Sequence, residues 1–348
     1  MTDSATYSPD PWQIACRSGA LGATRPLAVT LEGRALVLFR HAGGVAALED
    51  RCAHRNAPLS LGRVTRNGLE CPYHGWRYDV TGTVAAQPAL ADPKALRAQP
   101  GIVSHPVFER DGFVWVAPQL AATAAAATVG GPPPRFPHLG QPGWTSFVLQ
   151  TDFAAPVDAC LENFLDVPHA TFLHRYWFRA PTGRAVRARL RSLSDGAEVE
   201  FFDEPREKSL VWWLLAPRGG GLRHTDRYLA PRTSRVDYAF DGGLHYSITS
   251  SCSATSADQT RVYTVISFRH FLPGWLIRLF FEPLARRIIA QDARMLAAQY
   301  ANIARHGGPA FVSTEVDLLG PRIQAWRRAL AAGRTPLPEP ERDVVIRI

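Results

Sequence analysis

The sequence has little of what an exported or membrane-spanning chain needs. Only five of its 348 residues are cysteine, too few and too scattered for a disulfide framework. Cys16, Cys160 and Cys252 read as buried free thiols, and a reducing cytoplasm is the expected compartment. There is no long apolar run. The most aromatic stretch, 271–283, holds Arg278 and Glu282 and is broken by Pro273 and Pro283. That is too short and too interrupted to cross a bilayer, and it reads as a short helix at a pocket or subunit edge. The start, residues 1–7, is polar, so no secretory signal is expected. No internal repeat and no glycine-rich nucleotide fingerprint is visible. The formal charge is +8, but no nucleic-acid-binding motif accompanies it, and the arginines are scattered rather than gathered on one helix.

What the chain does have is Cys52-Ala53-His54 and, with sixteen residues between, Cys71-Pro72-Tyr73-His74. Two thiolates and two imidazoles can hold a [2Fe–2S] cluster in which His₂ replaces Cys₂ on one iron, the Rieske arrangement. The same donors also suit a tetrahedral zinc ion, although zinc motifs usually pair like ligands. Here each pair mixes one Cys with one His, as two facing loops around a cluster require. Gly62, Gly68 and Gly75 flank the pairs, and glycine lets backbone N–H groups come close to cluster sulfides.

A second metal constellation lies in 162–174. His169 and His174 follow Asp166, and two His with one carboxylate form the open-faced iron triad of non-haem oxygenases. Five steps along a straight helix would turn the two rings about 140° apart, so a helix end or widened turn near Pro168 is expected. The carboxylate candidate is Asp292. The spacing predicts a helix over 283–303, starting at Pro283, with an apolar stripe through Ala285, Ile288, Ile289, Met295 and Leu296. Asp292 falls in that stripe, where a carboxylate is costly unless it is paired with an arginine or binds a metal.

The stretches RCAHRNAPLSLGRV and LECPYHGWRYD resemble the ferredoxin-type domain of Rieske non-haem iron oxygenases. They resemble respiratory Rieske proteins less, because no spare Cys follows His54. The resemblance implies a [2Fe–2S] cluster on Cys52, His54, Cys71 and His74, and a mononuclear Fe(II) on His169, His174 and Asp292. It also implies that Asp166 links a cluster histidine of one subunit to an iron histidine of its neighbour, in a head-to-tail trimer. Asn163, three before Asp166, resembles the spacing of the α-only O- and N-demethylases and monooxygenases. The activity implied is insertion of oxygen from O₂ into an aromatic or lipophilic molecule, by hydroxylation or oxidative demethylation. Electrons would come from NAD(P)H through a separate reductase or ferredoxin. Two alternatives stand beside this: the α subunit of an aromatic-ring dihydroxylating dioxygenase, and a Rieske electron carrier with no chemistry of its own.

The fold class expected is α+β. An all-β Rieske domain at 1–125 should precede a helix-grip catalytic domain at 126–348, an antiparallel sheet around a long C-terminal helix. An alanine- and proline-rich linker at about 119–137 would join them. Strand patterns appear at 28–31, 35–39, 45–48, 112–116, 199–202, 210–215, 245–250 and 261–268. Pocket candidates are the aromatic Phe164, Trp213, Tyr228 and Phe240, the aliphatic Leu173, Ile248 and Ile266, and the polar His245, Ser250 and Cys252. Arg51, Arg55, Arg63, Arg66 and Arg77 bracket the cluster loops, where an acidic redox partner would dock.

Overall fold

The computed structural model describes residues 10–92, 100–122, 131–175, 183–202, 204 and 221–347. The strand expected at 210–215, with the pocket candidate Trp213, lies outside the described residues. The chain divides into two units, one of Asp10–Arg135 with Ser253–Ala257, the other of Phe136–Cys252 with Asp258–Ile348.

The first unit is built from three small antiparallel sheets. Strands β1 (Gln13–Arg17), β2 (Leu27–Leu31), β3 (Arg34–His41), β4 (Gly44–Glu49), β5 (Arg63–Thr65) and β6 (Gly68–Glu70) are followed by β7 (Arg77–Tyr78) and β8 (Val84–Ala86). Strands β9 (Ser104–His105), β10 (Val107–Arg110) and β11 (Phe113–Val116) complete it. The sheet orders are β1-β11-β10, β2-β3-β4-β9 and β5-β6-β7-β8. Leu36 to Phe39 are all buried, which alternation with a solvent face would not give. The reason is that β3 divides two cores. Val37 and Phe39 pack with Cys52, Leu69, Cys71 and Tyr78, while Leu36 and Leu38 pack with Cys16, Leu31 and Val114. A period of two along the strand serves both.

The second unit carries an eight-stranded antiparallel sheet. Its strands are β12 (Thr145–Phe153), β13 (Ala185–Leu193), β14 (Gly196–Phe202), β15 (Leu222–Leu229), β16 (Thr233–Phe240), β17 (His245–Ala254), β18 (Thr260–Arg269) and β19 (Arg342–Arg347). Their order is β12-β18-β17-β16-β15-β14-β13-β19. Helices α1 (Val157–Leu165) and α2 (His169–Leu173) lie between β12 and β13 in the chain; α3 (Gly274–Arg305) follows β18, and α4 (Gly320–Ala331) follows α3. Helix α3 packs on β12, and α1 lies against β16 and α4. The expected fold class, a β-rich N-terminal unit and a large antiparallel sheet with a long C-terminal helix, is the one observed.

Two expectations need correction. Helix α3 begins at Gly274, not at Pro283, so the apolar 274–282 segment is its first turns and not a separate short helix. Pro283 sits inside the helix, where its ring crowds the carbonyl four residues back, at Leu279. Leu279 is exposed, so a bend on that side meets solvent and not the core. Met295, expected in the buried stripe, is exposed, while Asp292 and Leu296 are buried. No helix among the described residues is long and apolar enough to cross a membrane.

The cluster loops depend on two glycines. A Cβ at Gly62 would lie 2.0 Å from the Glu70 carbonyl oxygen, and one at Gly68 would lie 2.0 Å from that of Tyr78, with Gly68 at φ +127. Gly68→Ala should therefore destabilise the protein by about 1–3 kcal/mol or more. Thermal melting followed together with visible cluster absorbance is the check, and both should fall, because Tyr78 also anchors the first cluster loop.

Candidate metal centres

In the first unit, Cys52 and Cys71 sit in the core at 2% exposure each, while His54 is half-buried and His74 exposed. The sulfurs are thus fixed from inside and the imidazoles face outward. Two tight turns hold the ligands: Cys52 N–H donates to Ala57 O at 2.9 Å, and Cys71 N–H donates to Trp76 O at 2.8 Å. Tyr78 braces the first loop. Its hydroxyl accepts from Ala53 N–H at 2.9 Å and lies 3.2 Å from Cys52 Sγ. The His54 ring stacks on Trp76 at 4.8 Å and meets His74 edge-on at 4.6 Å between centroids. Burial pushes the Cys71 thiol pKa up, so leaving it a thiolate calls for a cation beside it.

These residues fit a cluster. His54 Nδ1 is buried with no hydrogen-bond partner, as a metal-facing nitrogen should be. Of the arginines expected to form a basic docking face, Arg63 and Arg77 both pair with Glu70, and Arg51 pairs with Glu49. That face is narrower than charge counting suggests.

In the second unit the H-x₄-H geometry is resolved by a helix end. Pro168 caps α2, His169 is its first residue, and His174 lies just past its last, at φ −105 and ψ 32. Breaking the helix there turns both rings to one point, with Nε2 atoms 3.3 Å apart. Asp292 comes from the middle of α3 and places Oδ1 3.0 Å from His174 Nε2 and 3.6 Å from His169 Nε2. The far nitrogens are occupied. His169 Nδ1–H donates to the Asp166 backbone carbonyl, and His174 Nδ1–H donates to Gln291 Oε1 at 2.9 Å. Each imidazole is thereby oriented with its Nε2 lone pair inward, as metal-ligating histidines are.

The fit to iron rests on Asp292 Oδ1, which is buried and makes no hydrogen bond of acceptable geometry. Burial alone would lower the His169 pKa, but Asp166 and Asp292 outweigh it and push it up to about 9. Burial alone would raise the Asp292 pKa, but His169 and His174 hold it below the usual carboxylate range. A proton thus stands where a divalent cation fits, and metal binding displaces it. Two imidazoles and one carboxylate on one side leave the opposite positions open.

His169, His174 and Asp292 line a cavity of about 150 Å³, a volume that takes one benzene-sized ring. Phe164, Ile248, Ser250 and Ile266 also line it, as do Asn163 and Asp166. Leu173, Tyr228, Phe240, His245 and Cys252 do not. His245 falls on the other sheet face, where its Nε2 meets Asp237 Oδ1 at 2.9 Å. Tyr228 is fully buried with its hydroxyl donating to Pro231 O. Phe240 and Cys252 share the correct face but lie one step beyond the cavity, and Leu173 ends α2. The wall residues that sequence reasoning missed include Asp226, Ser234 and Tyr246. Tyr246 has the same parity on β17 as Ile248 and Ser250, so alternation alone could have found it.

Residues 11–105 match the Rieske [2Fe-2S] domain family, and residues 153–333 match the vanillate O-demethylase oxygenase C-terminal domain family. The chain belongs to the Rieske non-haem iron oxygenases. It is 31% identical over 298 residues to the vanillate O-demethylase oxygenase subunit of a Pseudomonas species, covering 77% of this chain and 85% of that protein. It is 33% identical over 262 residues to the 4beta-methylsterol monooxygenase of Methylococcus capsulatus, covering 68% and 69%. It spans about half, 53%, of the rice chlorophyllide a oxygenase, at 26% identity over 319 residues. Among solved structures, dicamba monooxygenase bound to 3,6-dichlorosalicylic acid superposes with a TM-score of 0.78 at 21% identity, over 94% of this chain and 98% of that one. The last likeness speaks to fold alone.

This Rieske oxygenase is accordingly a non-haem iron monooxygenase that holds a [2Fe–2S] cluster and a mononuclear iron, and uses O₂ with electrons from NAD(P)H through a separate reductase. Zinc in the cysteine–histidine site and a pure carrier role are both set aside by that membership. In the purified protein, His174→Ala or Asp292→Ala should lower iron by about one atom per chain and leave acid-labile sulfide and the cluster spectrum unchanged. Metal and sulfide analysis of the variants is the check.

Proposed function

We propose that this chain is the oxygenase component that hydroxylates an aromatic or lipophilic small molecule, with O- or N-demethylation as the outcome when the attacked carbon bears oxygen or nitrogen. The observation that carries the reading is that His169, His174 and Asp292 present their donor atoms to the same cavity that Phe164, Ile248 and Ile266 line. In this reading Cys52, His54, Cys71 and His74 hold the cluster, and the three cavity ligands hold the iron. When bound, the two centres supply the electrons and the dioxygen activation for insertion of one oxygen atom. The chain's own residues confine and orient the substrate: aromatic and aliphatic walls exclude water, and Gln291 and the Asp166 carbonyl keep the iron histidines in one tautomer. The short Asn163–Asp166 spacing supports the α-only branch over ring dihydroxylation. The three cysteines outside the cluster, Cys16, Cys160 and Cys252, are buried free thiols, and these with a nicotinamide-driven donor suit a reducing cytoplasm.

We further assign the assembly to a head-to-tail ring of identical chains. The Asp166 carboxylate does not take the His169 hydrogen bond, which goes to its own backbone carbonyl; Asp166 Oδ2 stands 3.5 Å from His169 Nδ1, with the side chain 36% exposed. Its acceptor oxygens are therefore open to a second imidazole. Asp166, Asn163 and His169 also line a second, larger cleft. Exposed Met295, Phe311 and Val312 rim that cleft. It is acidic: burial and the crowding of Asp317, Asp166 and Asp158 raise the Glu162 pKa. An acidic cleft with an apolar rim suits the basic cluster loops of a neighbouring copy.

The test co-assembles two inactive chains, one His74→Ala with its iron site intact, the other His169→Ala with its cluster intact. If electrons cross between copies, verified mixed oligomers regain substrate-dependent oxygen uptake, to a sizeable fraction of the wild-type rate. Persistent inactivity in such mixtures refutes transfer across the interface. Asp166→Asn should load both centres and still reduce with dithionite, with turnover lowered by at least about 100-fold.

A further inference from the structure

One buried charge in the cavity wall has no part in holding iron. Asp226, on β15, is 1% exposed and lines the cavity. Its strand neighbours across the sheet are apolar: Asp226 pairs with Val236, and Val236 pairs with Ile248. Asp226 Oδ1 accepts from His224 Nε2–H at 2.9 Å, and Glu204 Oε2 accepts from His224 Nδ1–H at 2.7 Å. With both ring nitrogens donating, His224 is an imidazolium. Burial alone would lower its pKa, but Asp226 and Glu204 outweigh it and raise it to about 9. The bond to His224 engages one oxygen of the Asp226 carboxylate and leaves the other toward the cavity, where a buried acceptor is costly unless a donor meets it.

Other observations point the same way. Asp226 Oδ2 has no hydrogen-bond partner among the described residues. The hydroxyls of Ser234 and Tyr246, both lining the cavity, also have none there. By contrast, Ser250 and Thr264 satisfy one another at 2.9 Å. Among the described lining residues there is no Arg or Lys, while Asp166 and Asp226 contribute carboxyl groups besides the proposed iron ligand Asp292. Away from the iron, a substrate carboxylate would meet Asp226 and no described guanidinium or ammonium to receive it.

We propose that Asp226 is a specificity-determining residue that anchors a hydrogen-bond donor on the substrate, so that the enzyme takes aromatic molecules bearing an amine, N–H or hydroxyl group and rejects aromatic carboxylates. The proposal rests on the cavity being the substrate site. It sets this chain apart from relatives named for acids, since vanillate and 3,6-dichlorosalicylic acid carry a carboxyl group. His224 and Glu204 act through Asp226, as positioning residues that fix its rotamer from behind.

The test is calorimetric binding to the metal-loaded enzyme at neutral pH with three single-ring probes: benzylamine, benzyl alcohol and benzoate. Benzylamine should bind at least about tenfold more tightly than benzoate, with the alcohol between. Asp226→Asn should bring amine and acid to within roughly threefold of each other, by weakening the first and improving the second. Benzoate binding as tightly as benzylamine, a preference that survives Asp226→Asn, or no binding by any probe would each overturn the proposal. The wild-type order needs no variant, so a failure of Asp226→Asn to fold does not remove the test. Iron, sulfide and donor-driven oxygen uptake measured on the same preparation report separately on the oxygenase reading. If those are sound and the probe order is wrong, only the substrate class falls.

Discussion

The structure turns on lone pairs that face one another. At the end of α2 two imidazole nitrogens and a carboxylate oxygen converge from elements far apart in the chain, Asp292 lying 118 residues after His174. Nothing but positive charge can relieve that convergence in a buried setting. Every nearby feature serves it: Pro168 starts a helix short enough to end before the second ring, Gln291 and the Asp166 carbonyl fix the outer nitrogens, and α3 carries a carboxylate along a stripe otherwise built for packing. At the other centre the same constraint is met in reverse, with sulfurs sunk in a hydrophobic core and imidazoles left at the rim.

The candidate metal ligands were legible because their chemistry is local. A C-x-H pair, a C-x-x-H pair and a histidine pair after Asp166 declare themselves by residue type and spacing, and Asp292 by its place in an apolar stripe. The strands were legible where side chains alternate or run β-branched, as in 261–268. The start of α3 was not, because proline at position 283 reads as a helix beginning, and only the solvent-facing position of Leu279 shows why the helix tolerates it. Cavity membership was half legible. Phe164, Ile248, Ser250 and Ile266 line the cavity, but His245 was drawn by its chemistry to the wrong sheet face, and Asp226 was passed over because a carboxylate in a strand looks like a surface residue until its neighbours are known.

The cavity wall shows how one sheet face can sort functions into rows. Across β15, β16 and β17 the aligned residues run His224–Tyr238–Tyr246, then Asp226–Val236–Ile248, then Tyr228–Ser234–Ser250. The first row is a stack of rings, with His224 and Tyr238 centroids 4.2 Å apart, and Tyr246 and Phe268 4.7 Å apart. The second is aliphatic with a charge at one end, and the third is mostly hydroxyl. Cross-strand neighbours with Cβ atoms about 5 Å apart thus give the sheet side of a small cavity an aromatic edge, an aliphatic floor and a polar edge.

Strand β3 has a consequence for folding fidelity. A strand with one wet face is locked in register, since a slip of one residue would bury its polar side chains. β3 offers no such penalty, because Leu36 and Leu38 could trade places with Val37 and Phe39 at the expense of shape alone. Its register is set instead at the hairpin, where Leu31 pairs with Arg34 across a two-residue loop and Glu32 and Gly33 both take positive φ, 51° and 74°. That turn matches the twist of the strands it joins. The alignment of the strand that separates both N-terminal cores, and so the seating of Cys52 and Cys71, is decided by two turn residues that belong to neither core.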